Sequence, residues 1–483
     1  MPARCLNGST RGGSPWRSLV LALGWCSLSG CVTLSERDNA TALEQAGHSL
    51  AEVIRAGSDL SAESQPAEFV PLDGTPRAYV EYALAHDHGL RARWERWRAA
   101  THRVARERRL PMPSLTYTVF IRGIETRVGP QRHKLSVRQR FPWPGELIAG
   151  ADAAAAAARS MQREFEAEAL EVQARVLRAY WRLWLVRETR SVEREQLELY
   201  EAILSVARGR LELGEASLVD VQQLELTRAR VDDELIGLDE LEREATANLT
   251  AAIAAPPGSD MPTSSGPPVV ELPRENEARL QAALVAHPLL ERWIARGEVG
   301  EQRAREARNT RAPTFSLSAD WIEVGPASSA TTAGSGSDAV AVGVGIELPL
   351  WQRSYSEDVK AARADAAAAR AEWAAARDAA VASLSATMSH LRDTARRVVL
   401  YDSTLIPQAE GAIESALGGY AVGETTSAAL LLAQRDLLEL RLAKLRLQSK
   451  HAVAWAELER VVGRSVEGDS VVSSPEDEDK ELP

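Results

Sequence analysis

The 483-residue chain has only three cysteines. It also lacks the motifs that announce chemistry. There is no His-Glu-x-x-His metal motif, no glycine-rich phosphate loop and no Gly-x-Ser-x-Gly elbow, so no catalytic, cofactor or metal site is assigned. His86 and His88 have no cysteine or third histidine nearby and read as solvated residues at the head of an amphipathic helix. Positive charge is scarce: 57 Lys and Arg face 68 Asp and Glu, a net charge of −11. That balance argues against nucleic acid as a partner, because phosphate binding needs clustered cations. Beyond one short stretch near the start, no run approaches the roughly 18 apolar residues that a membrane-spanning helix needs. A polytopic helical membrane protein is excluded. A β-barrel is not, since its signal is weak in each strand. What is present, 45% apolar and 26% charged residues, is the composition of a folded protein.

Residues 1–30 read as an export signal. Arg4, Arg11 and Arg17 form a basic leader, and the apolar run Leu19-Val20-Leu21-Ala22-Leu23 follows. Leu28-Ser29-Gly30-Cys31 resembles the bacterial lipobox, which implies cleavage before Cys31 and acylation of its thiol. Loss of the leader takes the net charge from −11 to −14 and removes Cys5 and Cys26, so no internal disulfide remains. A bacterial lipoprotein carries several acyl chains and is firmly anchored. Val32 stands where an inner-membrane retention signal has Asp, so the outer membrane is the expected address.

The chain repeats itself with a period near 200 residues. Leu90, Arg108 and Pro113 recur as Leu290, Arg308 and Pro313, and Gly214-Glu215 recurs as Gly423-Glu424. Ala151-Asp152, an alanine block and Arg159 recur as Ala364-Asp365, an alanine block and Arg370. The expected layout is a leader segment at 31–76, one copy over 77–253, a Pro/Gly/Ser-rich linker at 254–273, a second copy over 274–463 and an acidic tail at 464–483.

Each copy predicts the same order. A helix (77–109, 274–308) is stopped by proline. Two strands follow, at 114–123 and 133–141, then at 313–323 and 338–348. In the clearest of them Val340, Val342, Val344, Ile346 and Leu348 alternate with Ala341, Gly343, Gly345 and Glu347. A very long helix then runs over 146–213 and 354–422, rich in Ala, Glu, Arg and Leu, with a kink expected near Pro407. At about 1.5 Å per residue, such a helix reaches roughly 100 Å, too long for a compact domain. Gly214 and Gly423 mark its reversal into a shorter helix. The alanine blocks admit two readings, close helix approach or plain helix propensity. Tyr180, Trp181 and Trp184 read as packing residues. Trp143, Trp321 and Trp351 fall near strand ends, as an aromatic interface belt would.

Four strands cannot cross a bilayer alone, because an open sheet leaves edge N–H and C=O groups unpaired in lipid. Two chains would make eight strands with a side-chain-filled interior, and three would make twelve around a pore. A soluble four-stranded sheet packed on helices is the other reading.

This plan resembles the TolC-like outer-membrane efflux proteins over about 77–463. The resemblance rests on the duplicated order, on Tyr420-Ala421-Val422-Gly423-Glu424-Thr425 with Gln434, and on Leu213-Gly214-Glu215 with Ser217, Asp220 and Gln222. Phe141-Pro142-Trp143-Pro144-Gly145 is similar to a segment of the heavy-metal cation branch. The resemblance implies a mainly helical chain with a membrane barrel portion, assembled as a homotrimer with a twelve-stranded barrel and a twelve-helix periplasmic tunnel. It implies a passive conduit working with a periplasmic adaptor and an RND-type inner-membrane pump. Leu213, Gly214, Glu215, Val422, Gly423 and Glu424 would meet the adaptor. Some relatives carry aspartates just after the second turn; Thr426–Leu432 has none, which leaves Asp220 as the candidate acidic residue at the tunnel mouth. The alternatives are an adaptor lipoprotein or a coiled-coil scaffold without a pore, and, for cargo, drugs or type I secreted proteins.

Overall fold

The computed structural model describes residues 72–470 except 215, 265, 330 and 423. The signal segment, Cys31, Glu215 and Gly423 therefore lie outside the described residues. Two short helices open the chain, α1 (Pro76–His86) and α2 (His88–Glu107). The hairpin β1 (Ser114–Thr126) and β2 (Gly129–Phe141) follows, then α3 (Pro144–Glu212) and α4 (Leu218–Ala252). A short strand β3 (Glu271–Pro273) precedes the second copy. That copy contains α5 (Glu277–Ala283), α6 (Pro288–Asn309), β4 (Thr314–Val324), β5 (Ala339–Glu347), α7 (Gln352–Leu400), α8 (Ile406–Val422) and α9 (Ser427–Val462). Strand β6 (Gly468–Ser470) ends the described chain.

The sequence pattern predicts one helix over 77–109, but the chain breaks at Asp87. Its extended backbone ends α1, and its carboxylate accepts from Leu90 N at 2.7 Å to start α2. The second copy breaks at the corresponding place. There His287 caps α6 by accepting from Leu289 N, and Pro288 occupies the first helical position. His86 is not free in solvent: its ring stacks on Tyr82 and Nδ1 lies 2.8 Å from the Tyr82 carbonyl.

Helix α3 has 69 residues, roughly 100 Å at about 1.5 Å per residue. No single core can serve such a length. Small apolar clusters are strung along it instead. Tyr79, Val176, Tyr180, Leu183 and Leu249 form one cluster, into which the 254–270 linker inserts Met261. Leu290, Leu391 and Leu458 anchor a separate cluster among the helices of the second copy. Tyr180 and Trp184 are fully buried packing residues. In the second copy the long helix is interrupted by a π-turn at Tyr401–Leu405, immediately before Pro407. Proline has no N–H and its ring crowds the carbonyl four residues back, so the extra residue of a wide turn relieves the clash.

Small residues set the spacing where the helices leave the sheet. Ala151, Ala155, Ala156 and Ala158 are buried, as are Ala362, Ala366 and Ala369. A Cβ on Gly300 of α6 would stand 2.7 Å from Ala366 N of α7. The linker and the segment after α9 meet in the β3–β6 ladder, so residues 464–470 are packed rather than a free tail. Beneath that ladder, buried His451 joins Thr394 (2.9 Å) to the Glu271 carbonyl (2.9 Å).

Candidate functional site

The four long strands form one antiparallel sheet in the order β1-β2-β4-β5, so the two copies join through β2 and β4. The register fixes which side chains share a face. Leu115, Val137, Ala319 and Val342 align across all four strands, and Tyr117, Leu135, Trp321 and Val340 align beside them. Phe141, Phe315 and Ile346 make a third apolar row. The opposite face carries Ser, Thr, Gly and charge: Thr116, Ser136, Asp320 and Ala341 form one row, and Ser114, Arg138, Ser318 and Gly343 the next. Among the described residues, nothing covers the apolar face. Val342 and Val344 are 73% and 79% exposed, and even Val137 on an inner strand is 45% exposed. Soluble monomers rarely leave an apolar face of this extent to water. Among the described residues, the outer edges of β1 and β5 are likewise unpaired.

Trp143 and Trp351 sit at equivalent junctions, each the residue before a long helix, and both are exposed. Trp321 donates from Nε1 to Asp338 at 3.2 Å, near the opposite end of the sheet. Among the described residues, no helix is long and apolar enough to cross a membrane. The membrane-compatible surface is the sheet.

The far end of the helices carries the other predicted residues. Gly214 adopts φ +77° at the α3–α4 turn, where L-residues are strained. Leu213 and Val422 are 75% and 71% exposed, and Glu424 is also exposed. The two turns are fastened to each other. Arg210 donates to the Tyr420 carbonyl at 2.7 Å, and its guanidinium lies 5.1 Å over the Tyr420 ring. Ser427 donates to Asp220, whose other oxygen accepts from Ser217 in a capping box. The hydrogen bonds from Ser427 and then Ser217 hold the Asp220 carboxyl below the ordinary carboxylate range. Leu204, Ala207, Leu224 and Leu430 pack beneath. Five of the predicted residues, Leu213, Gly214, Asp220, Val422 and Glu424, are thus brought to one end of the molecule. The fastening residues Arg210, Tyr420 and Ser427 are not legible from spacing. Only the N-caps Ser217 and Thr426 carry a sequence signal.

The chain matches the family described as outer membrane efflux protein over residues 79–255 and 279–464. It belongs to that family. Its two matched segments correspond to the two copies. The family fold recurs in solved structures. The outer-membrane channel OprN is 19% identical, with 83% of this chain and 94% of that chain covered and a TM-score of 0.67. VceC of Vibrio cholerae is 20% identical, with 81% and 97% covered and a TM-score of 0.66. CusC is 14% identical, with 84% and 100% covered and a TM-score of 0.68. No curated protein matches the chain. Membership in this family sets aside the adaptor and scaffold alternatives.

Proposed function

We propose that three copies of this chain close into a twelve-stranded barrel in the outer membrane. Their helices continue it as a twelve-helix tunnel into the periplasm. The observation that carries this reading is the cross-strand apolar face from Leu115 to Val342, uncovered and backed by a polar face. In a closed barrel the apolar rows meet lipid, the polar rows meet water, and the open edges of β1 and β5 pair with neighbouring chains. Two chains would leave no conduit, whereas three leave an aqueous pore.

The function is passive conduction in a three-part efflux system, with energy supplied by an RND-type inner-membrane pump. The exposed turns at Leu213, Gly214, Glu215, Val422, Gly423 and Glu424 are the contact for a periplasmic adaptor. Asp220 keeps a negative charge at the tunnel mouth while tying the two turns together. Acylation of Cys31 adds an anchor in the same membrane. Heavy-metal cations are the cargo suggested by Phe141-Pro142-Trp143-Pro144-Gly145. Recording from the purified protein in planar bilayers tests the reading. Stepwise ion conductance supports it, and a silent bilayer with correctly folded protein overturns it.

A further inference from the structure

The polar face of the sheet is not electrically uniform. Two of its cations are matched: Lys134 lies 3.1 Å from Asp320, and Arg140 lies 2.6 Å from Glu347. Arg138 stands between them in register with Ser114 on one side and Ser318 and Gly343 on the other, none of them charged. Asp320, in the adjoining row, feels the Arg138 charge but is held directly by Lys134 and Ser136. Arg138 is exposed and forms no ion pair among the described residues. Its neighbours are small, so nothing shields the guanidinium from the space above the face. A Cβ on Gly343 would stand 2.8 Å from Ser318 Oγ, so a larger residue there would displace that hydroxyl.

We infer that Arg138 makes the barrel interior favour anionic solutes over cations. The inference rests on the trimeric barrel proposed above. In that assembly three Arg138 side chains stand at one height, three residues before the strand ends at Phe141 and about 10 Å from it at ~3.3 Å per residue. Charged rings of this kind set ion preference in pores, with Arg and Lys favouring anions. The guanidinium stays charged at every working pH, and its planar fork suits carboxylate and phosphate groups. The surrounding lipid has a low dielectric constant and focuses the field into the lumen. A metal cargo would then pass more readily as an anionic complex than as a free cation.

The test is the reversal potential of the full-length protein in planar bilayers across a potassium chloride gradient. Near 0.1 M salt the screening length is about 10 Å, so the ring reaches well into the lumen. Arg138→Glu is expected to lower the anion-to-cation permeability ratio by at least about twofold there, and the difference should vanish near 1 M, where screening shortens to about 3 Å. Arg138→Cys gives a second handle: a cationic thiol reagent should restore the original ratio and an anionic one should lower it further. Pores of normal conductance whose ratio ignores both substitutions overturn this inference alone. A wild-type protein that forms no pore overturns the barrel and the ring together.

Discussion

Placing a charge on the apolar face separates a lipid-facing sheet from one that rests in water. Val137 lies on inner strand β2, with Leu115 and Ala319 in register on either side. It lies four residues from the Phe141 end and eight from the turn at Gly129. In the proposed barrel Val137→Lys puts an ammonium inside the lipid-facing band, which costs up to about 2–4 kcal/mol. The trimer carries three copies, so the assembly loses up to about 6–12 kcal/mol, comparable to the whole stability of many domains. If that face were wet, an exposed strand substitution would cost no more than about 1 kcal/mol. Thr116→Lys is the matched control, because Thr116 lies on the polar face in the same row as Asp320. The assay is the fraction of chain recovered from outer membranes as a heat-resistant trimer, followed by urea titration of what remains. Val137→Lys should remove the trimer while Thr116→Lys leaves it near wild type. Equal effects of the two, or a larger effect of Thr116→Lys, would refute the assignment of faces.

Three further outcomes are expected. Nothing lies within 4 Å of a Cβ added to Gly214, but its φ of +77° strains any L-residue. Gly214→Ala, which adds the strain without the bulk, should keep most export, whereas Gly214→Trp should abolish it with trimers intact; equal export from both would remove the adaptor contact. Glu193 is buried in α3, its Oε2 has no partner among the described residues, and burial, reinforced by Glu234, pushes its pKa up to about 7. The native state therefore binds this proton more tightly than the unfolded chain does, so the group costs stability as pH rises from about 4.5 towards 7. Glu193→Gln should accordingly stabilise the protein in urea at pH 8 and lose that advantage near pH 5; a difference independent of pH would contradict this. Cys31→Ser should abolish incorporation of labelled fatty acid while the barrel still fractionates with outer membranes. Label retained in the variant would move the acylation elsewhere.

What the sequence makes legible follows from which interactions are local. Strand β5 is readable because Val340, Val342, Val344 and Ile346 alternate with small residues, and period two is a property of one segment. The long helices are readable from composition, and their reversal from glycine. The break at Asp87 is not. It depends on a side-chain cap winning over a run of good helix formers, and only Pro288 marks its counterpart. The π-turn at Tyr401–Leu405 is the particular form that the strain expected at Pro407 takes. Pairing across the copies is invisible from either strand alone: β2 meets β4 about 180 residues later, and only that register sets Arg138 beside uncharged Ser318. The same holds for Arg210 with Tyr420 and Asp220 with Ser427, which turn two separate helix reversals into one fastened tip.

In the proposed barrel, a four-stranded sheet with an uncovered apolar face finds its missing strands in other copies. The mass of the intact assembly, released from outer membranes into lipid nanodiscs and measured by native mass spectrometry, tests this most directly. Three chains per particle is the predicted result. A single chain, or a pair, would contradict it.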